Sequence, residues 1–437
     1  MKNELTGLQV YKFGGASVKD AAAILNLCRI VRDFGPKGPL LIVVSAMGKT
    51  TNALEEIFEL GYTEQDYEFP MQRLRDYHMR IVETLDHEIE GNSSGLAKGQ
   101  HVVDDDFYAI TQQLGRVDSE PNGEELYDQL VSRGEHMSAG IVNAVLERVF
   151  GPIAVQYLPA TTMILTDKNW RESKVDWSKT EQLTRQTVTA ALANGARILV
   201  TEGFLGGTDD GRTTTLGREG SDYSAAIFAY CLRAESVTIW KDVPGLLNAD
   251  PKIFPDTVLY PEISYQETIE MAFYGASVIH PKTLKPLAER GIPLRVKSFL
   301  DPAAPGTLIH DCQHPPLVPA FIRKAGQGLL SFESKDFTFI SEENLEVIFG
   351  ALAQARLKIN LMQNSAISFS VCVDYSAMRV QRLLELLGGQ FRVQYNTDLV
   401  LFTIKHYDQA SIERLTGGRV LLLEQRTRST FQFLVRE

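Results

Sequence analysis

The chain has 437 residues, which is enough for roughly two to four domains and for a sizeable buried core. Its 44 basic and 55 acidic residues give a net charge of −11, which disfavours a nucleic-acid partner because phosphate contacts need clustered lysine and arginine. The sequence has no long apolar run, no secretion signal and no close pair among its four cysteines. We therefore expect a cytoplasmic protein without a membrane span, a disulfide framework or a metal site of its own.

Strand and helix patterns alternate through residue 310. A strand at 8–13 runs through Gly14 and Gly15 into an alanine-rich helix, and 53–150 is mostly helical in pattern. Continuous apolar runs predict further buried strands at 39–44, 198–201, 237–240 and 293–296. This alternation is typical of α/β proteins with a mainly parallel sheet.

The stretch 311–322 is the predicted linker, because its prolines resist regular structure. The pattern changes beyond it, where short alternating strands are separated by amphipathic helices, for example at 342–356 and 377–387. Such an order predicts small α+β modules in the C-terminal part of the chain.

The first polar cluster with a chemical meaning follows the first strand. Gly14 and Gly15 allow the backbone to approach a ligand closely, and Lys12 adds a positive charge beside N–H groups that can hold phosphate oxygens. A tight turn without a ligand is the alternative. Ser45 and Thr51 follow the next strand, where open sheets contact ligands, although both residue types also cap helices.

Two further segments could hold an amino acid. Glu135 precedes an apolar helical stretch, where a carboxylate either binds an amino group or complements the helix dipole. The glycine-rich loop that ends in a helix at Ser221 and Asp222 contains Arg218, whose planar guanidinium suits a carboxylate. Capping is the alternative for Ser221 and Asp222, but the many loop glycines favour a functional site.

The end of the strand at 237–240 carries Lys241 and Asp242 ahead of a Pro-Gly turn. Polar residues at the carboxyl end of a strand suit nucleotide contacts in an open sheet. A generic turn explains the same residues, because Pro-Gly is common in turns.

Taken together, these segments resemble the aspartokinases. The family motifs occur here in one order, at Lys12–Ser17, Ser45-Ala46 with Thr51-Asn52, Ser132–Glu135, Thr214–Tyr223, Lys241–Gly245, Gly275–Pro281 and Pro305–Thr307. The resemblance implies an αβα sandwich, the amino-acid-kinase fold, followed by two ACT modules of the ferredoxin-like type, the second one short. The implied domains are a catalytic domain at 1–310, the linker at 311–322, and modules at 323–392 and 393–437.

The resemblance also implies an activity: Mg-ATP phosphorylates the β-carboxylate of L-aspartate, the first step of lysine, threonine and methionine biosynthesis. Lys12 and Asp222 would be catalytic. The implied aspartate ligands are Ser45, Thr51, Glu135, Phe204, Arg218 and Ser221. The implied ATP ligands are Lys12, Gly14, Gly15, Ser17, Lys241, Asp242, Lys252 and Ser277.

Some positions on the nucleotide side depart from the family pattern. Ser277 stands where a phosphate-binding lysine is common, and Lys241 stands where threonine is usual. Leu247 and Lys252 replace a usual tyrosine and arginine. We hypothesise that Lys241, Lys252 or Lys282 supplies the missing positive charge.

The C-terminal modules imply regulation by an amino acid such as lysine or threonine, and a homodimer that pairs through these modules. Ser341, Asn344 and Ser368 are effector candidates, with helix capping and strand alternation as the equal alternative. We expect a monofunctional enzyme. Two other readings stay open: an amino-acid kinase with another acidic substrate, and a catalytically weak regulator that binds amino acids.

Overall fold

The structure is a computed structural model that describes residues 5–89, 97–117, 122–276, 278–313, 317–335 and 339–436. Contacts within the chain define two compact units. The first unit comprises Met1–Leu246, Leu259–Ile269 and Val278–His314, and the second comprises Leu247–Val258, Glu270–Ser277 and Pro315–Glu437. Two short segments that precede residue 310 thus group with the C-terminal part. The predicted domain boundaries follow sequence order alone and stay a prediction.

The first unit is built on a mainly parallel sheet. Its strands are β1 (Gln9–Phe13), β2 (Leu40–Val44), β3 (Val155–Tyr157), β4 (Ile198–Glu202), β7 (Ser236–Lys241), β8 (Glu262–Ser264), β9 (Leu294–Ser298) and β10 (Thr307–His310), while β5 (Leu205–Gly207) and β6 (Thr213–Thr215) form a separate hairpin. The strand order is β3-β4-β2-β1-β7-β9-β10-β8. Strand β10 runs antiparallel to β9, and the other neighbouring pairs are parallel.

Helices cover both faces of this sheet. They are α1 (Ala21–Phe34), α2 (Thr50–Tyr62), α3 (Glu68–Glu88), α4 (Ala97–Leu114), α5 (Gly123–Phe150), α6 (Trp177–Ala193), α7 (Gly220–Leu232) and α9 (Pro281–Arg290), with short 3₁₀ turns at Gly15–Val18 and Ala160–Thr162. Helix α8 (Tyr265–Tyr274) begins in the first unit and ends in the second. None of the helices in the described ranges combines the length and apolarity of a membrane-crossing segment.

The continuous apolar runs in the sequence reflect this double coverage. Every residue of β2 is buried, although side chains along a strand alternate between the two faces. Leu40, Ile42 and Val44 join one apolar cluster with α1 to α5. Helix α7 packs against β1, β2 and β7, and also against α6 and α9. The αβα sandwich expected from the sequence is therefore confirmed.

The second unit carries a six-stranded sheet. Its strands are β11 (Ala320–Ser334), β12 (Ile359–Asn364), β13 (Ser368–Asp374), β14 (Phe391–Lys405), β15 (Leu421–Arg426) and β16 (Thr430–Arg436), and its helices are α10 (Glu342–Gln354), α11 (Ala377–Leu387) and α12 (Gln409–Thr416). The order across the sheet is β12-β13-β11-β14-β16-β15.

Two ACT-like modules share the long central strands of this sheet. The first follows the ferredoxin-like order β11-α10-β12-β13-α11-β14. The second uses the end of β14, then α12, β15 and β16, and takes its remaining strand from the start of β11, where Ala320 pairs with Lys405 and Lys324 with Leu401. The expected pair of modules, the second one short, is confirmed. Strand β11 begins inside the stretch 311–322, so the end of the predicted linker is strand.

Replacing Phe433 with alanine tests the core of the second module. Phe433 is fully buried and stacks on Phe402 and Phe431, with ring centroids 5.3 and 5.4 Å apart. We expect Phe433→Ala to lower the free energy of unfolding by about 3–5 kcal/mol, since a cavity replaces the ring. Urea unfolding followed by circular dichroism measures the change. Val420→Ala is the matched control, because Val420 is 80% exposed, and equal effects of both changes would contradict the packing described here.

Candidate active site

A cavity of about 500 Å³ opens at the carboxyl ends of β1, β2, β4 and β7. This edge is where open parallel sheets bind ligands. The cavity is lined by Lys12, Gly15, Ser45, Ala46, Gly48, Thr51, Glu55, Tyr127, Glu135, Arg171, Phe204, Thr215, Gly217, Arg218, Glu219, Gly220, Ser221, Asp222 and Lys241. The structure thus brings together residues from most of the segments that the sequence singled out.

Two lysines meet one buried carboxylate at the base of the cavity. Lys12 Nζ lies 2.6 Å from Asp222 Oδ1, and Lys241 Nζ lies 3.2 Å from Asp222 Oδ2. Burial alone would raise the pKa of Asp222, but the two ammonium groups outweigh it and hold that pKa below its usual value. Lys241 also donates a hydrogen bond to the carbonyl of Val278. One carboxylate therefore fixes two cations that can face an anionic ligand.

Glycines allow the loops around the cavity to approach this closely. A methyl group on Gly203, just after β4, would lie 2.5 Å from Ser221 Cβ at the start of α7. A methyl group on Gly15 would lie 2.8 Å from the carbonyl oxygen of Ala46. Neither distance is tolerable, so both turns need glycine where the backbone segments meet.

Glu135 is a buried carboxylate that faces the cavity from α5. Its Oε2 atom has no hydrogen-bond partner among the described residues. Burial raises the pKa of Glu135 to about 8; the charge of Glu202 raises it further, and the Ala46 amide and Lys12 lower it in part. Below pH 8 the Glu135 carboxyl is therefore mostly neutral, and a cationic group bound beside it would favour the ionised form.

The residue after Glu135 and the nearby carboxylate of Glu202 have hydrogen-bond partners of their own. His136 Nδ1 lies 2.7 Å from Asp106 Oδ2, and although burial lowers the pKa of His136, Asp106 raises it overall. Tyr157 donates to Glu202, and Glu202 also accepts from the Ala160 amide at 2.8 Å. These bonds fix the neighbours of Glu135 but leave its free oxygen for a ligand.

Arg218 is an exposed cation at the cavity wall. Among the residues that the structure describes, no carboxylate forms an ion pair with its guanidinium. It is available to a carboxylate ligand in the bidentate geometry that arginine favours. The predicted acceptor residues Ser45, Thr51, Phe204 and Ser221 line the same cavity.

Several predicted nucleotide ligands do not line the cavity. Ser17 is buried and donates to the carbonyl of Trp240, because its turn packs into the core. Gly14 precedes the turn in extended backbone, and Asp242 points to solvent. Lys252 is an exposed residue of the second unit, and Ser277 lies outside the described residues. Their nucleotide roles stay predictions.

Lys282 has another partner. Its ammonium lies 2.8 Å from Glu172 Oε1, and this hydrogen bond lowers the pKa of Glu172. Lys282 does not line the cavity, whereas Lys241 does. Of the three lysines considered for the missing positive charge, Lys241 is the one that the cavity contains.

The effector candidates form local contacts. Ser341 is the N-cap of α10 and shares a reciprocal capping box with Asn344. The Ser368 hydroxyl lies 2.8 Å from that of Ser365. These contacts match the capping alternative and leave the effector role as a prediction.

Three side chains of the cavity wall were not anticipated from the sequence. They are Glu55 on α2, Tyr127 on α5 and Arg171 in the connection before α6. Each stands in a segment without a glycine motif, and long-range packing alone brings them together. Thr215, Gly217 and Gly220, by contrast, lie inside a motif that the sequence had already marked.

Comparison with known proteins decides the family. The model of the amino acid kinase family matches residues 7–298. Lysine-sensitive aspartokinase 3 of Escherichia coli is 30% identical over 411 residues, which cover 92% of this chain and 87% of that protein. The chain belongs to the aspartokinases. Within this family, aspartokinase 2 of Arabidopsis thaliana chloroplasts is 27% identical over 86% of the chain and 68% of its own length.

Solved aspartokinase structures resemble the whole chain. The structure of E. coli aspartokinase III with aspartate and ADP has a TM-score of 0.81 and 28% identity, covering 98% of this chain and 96% of that one. Its complex with lysine and aspartate has a TM-score of 0.79, with coverage of 99% and 96%. The family assignment thus extends over both units of the chain.

Glu135 should leave a signature in the pH dependence of stability. Its pKa of about 8 in the folded protein exceeds the ordinary value of 4.5, so between these pH values the folded state holds a proton that the unfolded state lacks. The stability that this proton gives the folded state is fully present below pH 4.5 and is lost as pH rises to 8. The free energy of unfolding therefore falls by about 1.4 kcal/mol per pH unit over this range. Urea unfolding of the ligand-free protein at pH 5 to 8 measures the slope.

The variant Glu135→Gln should lose this slope, because glutamine cannot titrate. Glu83→Gln is the matched control, since Glu83 is an exposed residue of α3, and it should keep the slope of the unmodified chain. If the free energy of unfolding has the same pH slope in all three proteins, Glu135 is already ionised in the folded protein and the prediction is wrong.

Proposed function

We propose that this aspartokinase transfers the γ-phosphoryl group of ATP to the β-carboxylate of L-aspartate, giving ADP and 4-phospho-L-aspartate. The observation that carries the proposal is the charge arrangement of one cavity. Two lysines meet at Asp222, Arg218 has no carboxylate partner among the described residues, and Glu135 keeps a free buried oxygen. The α-carboxylate and α-ammonium of an amino acid complement Arg218 and Glu135, and the negative charges of a triphosphate and of an acidic side chain complement the lysines.

The chemistry needs positioning and charge neutralisation more than covalent help. In the reaction a β-carboxylate oxygen forms a bond to the γ-phosphorus as the bond from that phosphorus to the bridging oxygen of ADP breaks. The carboxylate is already a nucleophile at neutral pH, so no general base is needed. Lys12 and Lys241, both held by Asp222, would neutralise charge that develops on the transferring group and on ADP. Magnesium bound with ATP would add to this neutralisation.

Recognition of the acceptor would use the groups that lack a protein partner. Arg218 would clamp the α-carboxylate in a bidentate pair, and Glu135 would accept the α-ammonium. Because burial raises the pKa of Glu135 to about 8, binding of the ammonium would release the Glu135 proton at neutral pH. Ser45, Thr51 and Ser221 would supply hydroxyl contacts.

We also propose that the ACT modules bind an amino-acid effector, lysine or threonine, and pair two chains as a homodimer in the cytoplasm. Exposed apolar side chains in the second unit support an interface: Val347 and Phe349 on α10, and Met362 on β12. An effector would act by favouring one arrangement of the chain over another. Free thiols at all four cysteines fit a reducing compartment.

The first test is ADP release from Mg-ATP with L-aspartate as acceptor. We expect turnover that requires aspartate, and we expect Lys12→Ala to lower kcat by roughly 10²–10³-fold, because it removes a cation aimed at the transferring phosphoryl. Lys37→Ala is the control, since Lys37 is exposed and does not line the cavity. A coupled assay for ADP, with and without L-lysine or L-threonine, reports both catalysis and feedback inhibition.

Each alternative predicts a different outcome of that assay. Turnover with another acidic amino acid but not with aspartate would identify a sister kinase. Amino-acid binding without turnover would identify a regulator. Aspartate-dependent turnover that neither effector changes would remove the proposed lysine or threonine regulation and leave the kinase activity.

Replacing the nucleotide-side lysines one at a time tests which of them supplies the missing charge. We expect Lys241→Ala to raise the KM for ATP at least about tenfold, as expected for loss of a charged contact to phosphate, and to leave the KM for aspartate within twofold. Lys252→Ala and Lys282→Ala should leave the KM for ATP nearly unchanged. A larger effect from either of these two lysines would refute the assignment to Lys241.

A further inference from the structure

Three of the eight described non-glycine residues with positive φ lie at the cavity wall. Arg171, Phe204 and Glu219 all adopt the left-handed conformation, with φ of 63°, 69° and 56°, and all three line the cavity. Residues with a side chain avoid this region unless the surrounding structure enforces it, and such residues cluster at functional sites. Arg171 is the one of the three that brings a cation and that no motif explains.

The backbone of Arg171 is held by a buried carboxylate. Asp128 is fully buried on α5, seven residues before Glu135, and its two oxygens accept from the Arg171 amide at 3.1 and 3.0 Å. The same carboxylate accepts from the amide and hydroxyl of Thr215 at 2.9 and 2.8 Å. Asp128 therefore ties two parts of the cavity wall to the helix that carries Glu135.

The side chain of Arg171 is oriented as well as its backbone. Its guanidinium carbon lies 3.9 Å from the centre of the Tyr127 ring, and Tyr127 in turn donates to Glu55. Arg171 also pairs with Glu124, but the Glu124 side chain is 58% exposed, so water screens this pair. Tyr127 and Glu124 together hold the guanidinium at the cavity wall, and because the pair with Glu124 is exposed, a carboxylate ligand can compete with it.

Arg171 stands next to the loop that carries Arg218. A methyl group on Gly217 would lie 3.2 Å from the carbonyl oxygen of Arg171, so the two backbone segments are in contact. The cavity is thus lined by two lysines and two arginines. Lys12 and Lys241 share Asp222, whereas Arg171 and Arg218 lie on adjoining loops.

We propose that Arg171 is a specificity-determining residue of the acceptor site, an inference that rests on the proposed function. With Arg218 it makes one end of the cavity selective for an acceptor that carries a second, non-reacting carboxylate. The reacting carboxylate lies at the lysine pair, and the α-carboxylate lies at the arginine pair. Asp128 is the positioning residue that keeps Arg171 at this place.

A comparison of two acceptors isolates this interaction. L-Aspartate and its α-amide share the reacting β-carboxylate, but only aspartate carries the negative charge that Arg171 would recognise. We expect Arg171→Gln to lower kcat/KM for aspartate by about tenfold, through KM, and to change kcat/KM for the α-amide less than twofold. The KM for ATP should stay constant. Equal losses for both acceptors, or no loss for either, would overturn the proposal.

Further variants separate recognition from structure. Arg171→Gly should give the same selective loss, because glycine adopts the left-handed backbone without strain. Asp128→Asn should give it too, because it weakens the hydrogen bonds that hold the Arg171 backbone. Lys168→Gln is the matched control in the same connection, because Lys168 is exposed and pairs with Asp210 outside the cavity. A selective loss in Lys168→Gln would overturn the assignment to Arg171. Absence of aspartate turnover in the unmodified chain would instead refute the proposed function, and this proposal with it.

Discussion

The buried carboxylate of Asp222 is the constraint on which the site depends. A carboxylate at this depth is stable as an anion only because Lys12 and Lys241 lie against its two oxygens. Those contacts require the ends of β1 and β7 and the first turn of α7 to converge on one point. The parallel sheet places these strand ends side by side, and the glycine turns allow the backbone segments to approach closely enough for the contacts.

A contrast in protonation follows from the same burial. Asp222 and Glu135 are both buried acids of one cavity, yet two cations outweigh burial and lower the pKa of Asp222, whereas burial raises the pKa of Glu135 to about 8. Asp222 thus has two cationic partners within the chain, whereas Glu135 Oε2 has no hydrogen-bond partner among the described residues. A ligand with a positive charge can pair with Glu135 without disturbing the ion pairs of Asp222. This difference is a physical basis for selecting an amino acid.

The sequence was sufficient for the fold class, the pair of ACT modules and much of the cavity, because these depend on local patterns. Apolar runs predict buried parallel strands, and the motif residues Ser221 and Asp222 are neighbours in the chain. The contacts of Arg171 with Tyr127 and Asp128 could not be predicted from the sequence, because they arise where helix α5 packs against a loop that is distant in the chain. Ser17 was expected to bind ATP because it follows the glycine turn. Its side chain instead points into the core and donates to the Trp240 carbonyl, which the sequence alone does not indicate.

The long strands β11 and β14 join the two modules into one continuous sheet. Because each strand contributes its two halves to different modules, a slip of one residue between them would invert the faces of both modules at once. Neither module can therefore be cut out, exchanged with a homologous copy or duplicated by itself without breaking the other. Evolution can alter the surface of these modules residue by residue, but it can replace the two modules only together.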